Sequence, residues 1–299
     1  MKITKVKNPE FTNKRTVGAY ESIAFDTYLE LPGGKEEITT VELNVHYCEK
    51  GEGPVILMLH GAGQSYYTYR NNIGPLSQGG YKVIAIDLPG HGYSDCPDMA
   101  YTVEEMSLCI EAFLKAKGIE KLTMVGCGQG AIYAMDYACY HPDQVEDVVV
   151  IHPGSLLELN TGLARQIKGP FGNRAVMKTA KEQNMRKLIE DAYFDKTIVE
   201  KASIAEYSRP LEDEDVRTAV RLAVCNFDMG NLTDRLTAYP GRVLAITAVD
   251  DLLHDAGRQE ELIAHAMNAY SLTVRNCGWL IHEEKAQNVN KGILEFLKK

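Results

Sequence analysis

The decapeptide MVGCGQGAIY, residues 124–133, has the makings of a strand end, a tight glycine turn and a helix start. A turn of this kind lifts the side chain at its apex clear of the backbone, where it can meet a substrate as a nucleophile. The apex here is Gly128, which has no side chain to offer. Cys127 stands one residue before it, and a thiolate there would be a strong nucleophile. A shift of one residue turns the side chain to the other face, so Cys127 reads as a small buried filler. Titratable groups recur elsewhere: His60 in HGAG, His91 in LPGHG, Asp250, Asp251 and His254 in VDDLLHD, and His282 in CGWLIHEE. His254 reads as a solvated side chain. His282 reads as a surface or helix-capping histidine, with a substitute base as the sharper alternative.

Short apolar segments must carry these groups. PVILMLHG (54–61), YKVIAIDLP (81–89), KLTMVG (121–126), EDVVVIHPG (146–154), RVLAITAVD (242–250) and SLTVRNC (271–277) have the length and continuity of buried strands. Helices fit between them. Thr102 and Glu105 form a capping box, Val103, Met106, Ile110, Phe113 and Leu114 share one face, and Gly118 follows as a C-cap. Residues 129–140, 257–270 and 285–298 predict further helices. Strands alternating with helices predict a mostly parallel sheet covered on both faces. KRTVGAYESIAF and ITTVELNVHYCEKG predict antiparallel strands leading in. From residue 155 to 239 no buried strand is visible, and DEDVRTAVRLAVCNF (213–227) reads as helix.

The composition bounds the partners. The chain has 299 residues, a hydrophobic fraction of 45% and a formal net charge of −9. No run of Lys and Arg is visible, so neither nucleic acid nor an anionic membrane surface is expected as a partner. The seven cysteines are scattered and odd in number, without a C-x-x-C pair. That predicts free thiols in a reducing compartment and no zinc site. With no apolar run of about 20 residues and no apolar stretch behind the basic N-terminus, a cytoplasmic location is expected.

Taken in order, HGAG (60–63), DLPGHGYSD (87–95), GCGQG (126–130), an aspartate after a late strand and CGWLIHEE (277–284) resemble the α/β-hydrolase fold family from about residue 35 onward. The resemblance implies an α/β core over residues 1–154 and 240–299 and a helical lid over 155–239. It implies a nucleophile at the turn, an acid after a late strand and a histidine after the last strand. Gly128 then stands at the nucleophile position. Cys277-Gly278 on one side and Glu284 with its helix on the other put Trp279 at the histidine position. Asp251, with Asp250 beside it, fits the acid. Backbone N–H groups around Gly61, Ala62 and Gln129 would form the oxyanion hole, which needs no particular side chain.

Loss of a catalytic serine or histidine alone lowers kcat by about 10⁶ in serine hydrolases, so acyl-enzyme chemistry through this turn is not expected. The carboxylate nucleophile of dehalogenases and epoxide hydrolases is missing as well. The expectation is a protein that binds a small, partly apolar ligand and uses no cofactor or metal. The competing expectation is an enzyme, of hydrolase or lyase type, working through the oxyanion hole with Asp251 or His282. Trp279 would either plug the site or line it as an aromatic wall.

Overall fold

In the structure, a computed structural model, residues 18–31, 35–154, 162–250 and 261–298 are described. The strands β1 (Ala19–Leu31), β2 (Lys35–Lys50), β3 (Val55–Leu59), β4 (Lys82–Ile86), β5 (Leu122–Gly128), β6 (Val145–Pro153), β7 (Arg242–Ala248) and β8 (Asn268–Val274) join in one sheet of order β1-β2-β4-β3-β5-β6-β7-β8. β1 and β2 form an antiparallel ribbon, and β2 meets β4 antiparallel through Tyr47–Lys50. All pairings from β4 to β8 are parallel.

The parallel strands β3 to β7 are buried on both faces, which is why they read as unbroken apolar runs; β8, expected to be buried, is an edge strand and mostly exposed. In β3 the side chains of Leu57 and Leu59 enter the core that holds α2 (Val103–Ala116) and α3 (Gln129–Tyr140). Ile56 and Met58 enter the opposite core, with α1 (Ile73–Gln78) and the C-terminal helix Ala286–Leu297. In β5, Met124 faces the first core, and Val125 and Cys127 face the second. The chain leaves β3 for β4 on one side and returns to β5 on the other. The crevice between the carboxyl ends of β3 and β5 is therefore a topological switch point, where such sheets hold their ligands.

Local signals explain the ends of these elements. Thr102 accepts from the Glu105 amide while the Glu105 carboxylate accepts from the Thr102 amide, completing the capping box of α2. The C-cap is Lys117, one residue earlier than expected. Gly118 follows at φ 63°, and Ile119 N–H donates to Leu114 O, a Schellman closure that places glycine just past the helix. Two expectations change. The helix read over 257–270 does not reach residue 270, because Asn268–Tyr270 open β8 and pair with Arg242–Leu244. Sheet pairing overrides the apolar spacing of that stretch. The one-and-a-half-turn helix Ile73–Gln78 was not anticipated; it is too short to show a period.

Between β6 and β7 the described residues of this insertion form six α-helices: α4 (Gly162–Lys168), α5 (Gly172–Thr179), α6 (Glu182–Ala192), α7 (Lys201–Ser208), α8 (Glu214–Cys225) and α9 (Leu232–Leu236). Ile167, Val176, Met185, Ile189, Ile204, Tyr207, Val216, Val220 and Val224 pack into a separate apolar cluster, which also takes Leu280 from the end of the chain. Among the described residues no helix is long and apolar enough to cross a membrane.

Candidate functional site

The turn at residue 128 is built from backbone fit. β5 ends at Gly128, which is also the N-cap of α3, with φ 55° and ψ −124°. A Cβ on Gly126 would run into the backbone of Gly130 and Ala131, and one on Gly130 into the carbonyls of Leu59 and His60. These two glycines let α3 lie against β5 and β3. Gly128 is different. A Cβ there would meet Gly61 Cα and Trp279 Cζ2 at 3.5 Å each, ordinary contact distances, so its glycine is required by conformation and not by crowding.

The segment after β3 forms the other wall. His60 is buried; its Nδ1–H donates to Gly61 O at 2.8 Å and its Nε2 accepts from Leu88 N–H at 3.0 Å. Burial holds this imidazole below its ordinary pKa, against the opposing pull of Asp87 and the Gly61 carbonyl. His91 is bonded through Nδ1 to Pro89 O, and burial brings it down to about 3. Both rings brace loops in their neutral form. The Gly61 amide donates to Gln64 Oε1 at 2.9 Å, and Cys127 Sγ–H donates to the same oxygen at 3.4 Å. Burial pushes the Cys127 thiol up to about 12, so no thiolate forms there near neutrality. Gln129 donates to Ala223 O of α8 and accepts from Tyr133, which ties the start of α3 to the insertion.

Trp279 is half-buried and reaches over Gly128 with its six-membered ring. Together with Ala62 and Tyr67 it packs against the apolar cluster of the insertion. Asp251 and His254 lie outside the described residues. Asp250, the neighbouring acid, accepts from the Asn276 amide at 2.7 Å.

His282 is neither a surface nor a capping side chain. It is 1% exposed, and its Nε2 lies 2.7 Å from Thr68 Oγ1. The Thr68 hydroxyl donates to Glu283 Oε1 at 2.8 Å, so it accepts from His282 Nε2–H. Burial is the largest influence on this imidazole, which sits at about 4, with Arg70 acting in the same direction and Glu283 opposing. Its role is set by the carboxylate beside it. Glu283 accepts from Arg70 at 2.5 Å, from Tyr193 at 2.9 Å and from the Tyr207 hydroxyl. Both phenols are held above their ordinary range, by burial first and the Glu283 charge second.

Glu284 makes a second clamp. Its carboxylate accepts from the backbone amides of Gly278 at 2.7 Å, Phe194 at 3.1 Å and Asp195 at 2.8 Å. Two adjacent acids thus fasten the insertion to the core and to the loop that carries Trp279. Sequence reading missed this network because its members are far apart along the chain; the only local trace was the Glu283-Glu284 pair. Among the described residues no group of three or more His, Cys, Asp or Glu side chains is arranged to hold a metal ion.

Chemically, the crevice combines a glycine turn, the N-terminus of α3 and an indole. The α3 terminus favours a carbonyl oxygen or an anion. Between Cβ-less Gly128 and the Trp279 ring, no described side chain stands as a nucleophile.

Comparison with known proteins agrees with this architecture. A family model described as alpha/beta hydrolase fold matches residues 54–285. The 2-hydroxy-6-oxo-6-phenylhexa-2,4-dienoate hydrolase of Comamonas testosteroni is 26% identical over 271 residues, covering 85% of this chain and 91% of its own. Epoxide hydrolase 3 of Siraitia grosvenorii is 36% identical over 114 residues, 38% of this chain and 36% of its own length. Among solved structures, the meta-cleavage product hydrolase from Pseudomonas fluorescens IP01, complexed with acetates, superposes with a TM-score of 0.74 at 21% identity, covering 86% of this chain and 94% of its own. With the sheet order, the glycine turn after β5 and a family match over most of its length, the chain belongs to the α/β-hydrolase fold family.

Proposed function

We propose that this protein binds a small, partly apolar organic molecule on a hydrolase scaffold without the hydrolytic machinery. The observation that carries this reading is Gly128 at the turn, with the Trp279 ring in contact range of the place a nucleophile's Cβ would occupy. In this reading Trp279 holds the position of the catalytic base, so nucleophile and base are both absent. Residues 155–239 act as a lid over a core of residues 1–154 and 240–299. The amides of Ala62 and Gln129 hold an oxygen of the ligand, while Trp279, Ala62 and Tyr67 supply the apolar wall. The relatives' names point to the same ligand class, since a phenyl dienoate and an epoxide are compact organic molecules with an oxygen function. The free thiols of all seven cysteines support a cytoplasmic setting.

The other reading, an enzyme of non-standard mechanism, draws on the same backbone donors with Asp251 or His282. Against His282 stands its burial and its commitment to Thr68. A fluorophosphonate probe and short-chain aryl esters test the proposal. No stoichiometric labelling and no turnover above buffer is the expected result. Labelling of any residue, or turnover that survives purification, overturns it.

A further inference from the structure

The first part of the insertion carries an unusual charge pattern. Over residues 162–187 there are seven basic side chains, Arg165, Lys168, Arg174, Lys178, Lys181, Arg186 and Lys187, and a single acid, Glu182, within a chain of net charge −9. No run is visible in the sequence because the cations are spaced at helical intervals. The structure gathers them. α5 buries Gly172, Ala175 and Val176, which leaves Arg174, Met177 and Lys178 outward. Phe171, the N-cap of α5, and Lys181, just past its C-cap, are exposed at the two ends of this helix. Arg165 and Lys168 of α4 are exposed as well. Among the described residues only Arg186 of the seven joins an ion pair, with Glu190 at 3.7 Å.

Two large apolar side chains stand among these cations. Phe171 is 67% exposed and Met177 is 43% exposed. The Arg174 guanidinium lies 5.4 Å from the Phe171 ring centroid, so cation and ring present themselves together. An outward face that mixes basic side chains with bulky apolar ones can meet a membrane interface. The apolar groups enter the headgroup boundary and the cations meet anionic headgroups.

We infer that the α4–α5 face of the insertion docks on an anionic lipid surface through Phe171, Arg174, Met177, Lys178 and Lys181. This reverses the expectation from sequence that no membrane surface is a partner. Charge selects the occupant. The positive stripe is local and the remainder of the chain is acidic, so a long nucleic acid would run off the stripe onto repelling surface. A plane of headgroups touches the stripe alone. Phe171 and Met177 give that plane something a dissolved polyanion does not need.

The test is co-sedimentation of the intact protein with vesicles of 4:1 phosphatidylcholine to phosphatidylglycerol, against pure phosphatidylcholine, at 50 and 500 mM salt. Binding to the mixed vesicles at low salt, at least tenfold weaker at high salt and on pure phosphatidylcholine, is expected. Arg174→Glu with Lys178→Glu should weaken it tenfold or more, and Phe171→Ser with Met177→Ser should weaken it while keeping the salt dependence. All four side chains are exposed, and circular dichroism checks that the variants stay folded. As a control, Arg275→Glu with Lys291→Glu, beside the edge strand β8 and outside the insertion, should bind like the parent. The inference is overturned if mixed vesicles are not bound at low salt or if the control loses binding as much as the stripe variant. It is equally overturned if polyuridylate binds while vesicles do not.

Discussion

Gly128 and Trp279 meet at a distance that leaves room for one methyl group: a Cβ on Gly128 would stand 3.5 Å from Trp279 Cζ2. Substitution there is opposed by the backbone, whose φ of 55° disfavours any other residue. Gly128→Ala is therefore expected to lower stability by about 1–3 kcal/mol and to leave the fold intact by circular dichroism. Gly130→Ala, whose Cβ runs into two carbonyls, is expected not to yield folded protein. Equal melting temperatures for Gly128→Ala and the parent would contradict the turn geometry.

The same contact frames a gain-of-function experiment. Gly128→Ser places a hydroxyl at the apex, and Trp279→His opens the space beside it. Each single variant is expected to remain inactive on aryl esters, and the double variant to hydrolyse them measurably, because nucleophile and base act as a unit. Activity in Gly128→Ser alone would show that a base already stands within reach.

Glu283 should be a large contributor to stability. Its side chain is fully buried and faces Arg70, which is 20% exposed. Removing one member of such a pair leaves an uncompensated charge and costs about 3–5 kcal/mol. Glu283→Ala is expected to lose that much in urea titration. Amide exchange should rise around Tyr193 and Tyr207, whose hydroxyls lose their acceptor.

Acid should destabilise the protein through its buried imidazoles. His282 is held at about 4 and His91 at about 3, below the ordinary 6.5. Between those values the unfolded chain takes up protons that the folded one refuses. Stability is thus complete above about pH 6.5 and falls as pH drops through that window, by at most ~1.4 kcal/mol per pH unit for each group. Denaturant midpoints from pH 7 to 4 would show the slope, and His282→Asn should remove one group's share of it.

Trp279 is the sole tryptophan, so its emission reports on one place. Half-burial predicts a spectrum between those of a core and a solvated indole, with partial quenching by iodide. A small molecule that enters the crevice should change its intensity, and Trp279→Phe should abolish the signal without unfolding the chain.

Much of the sheet was legible because parallel strands buried on both sides are continuous apolar runs: β3, β4 and β7 fall within the segments read for them, while β5 runs two residues past its segment and β6 begins one residue before its own. The α2 capping box and the glycine turn at residue 128 were legible because their signals are local. His282 was misread because nothing near it announces Thr68, 214 positions away. The basic stripe escaped for a related reason: a helix spreads its outward residues three and four apart, so a patch dense in space is dilute in sequence. Asp251, read as the acid, lies outside the described residues.

The Glu284 clamp has a consequence in time as well as in space. One carboxylate holds the amide of Gly278, next to Trp279, together with those of Phe194 and Asp195 in the insertion. A carboxylate shared in this way would couple release of one amide to release of the others, so that the indole and the insertion would open at a single rate. Passage past Trp279 would then be timed by the polypeptide and not by the visitor. Chemically different small molecules would approach one common limiting entry rate as their concentration rises, and would differ only in how long they stay.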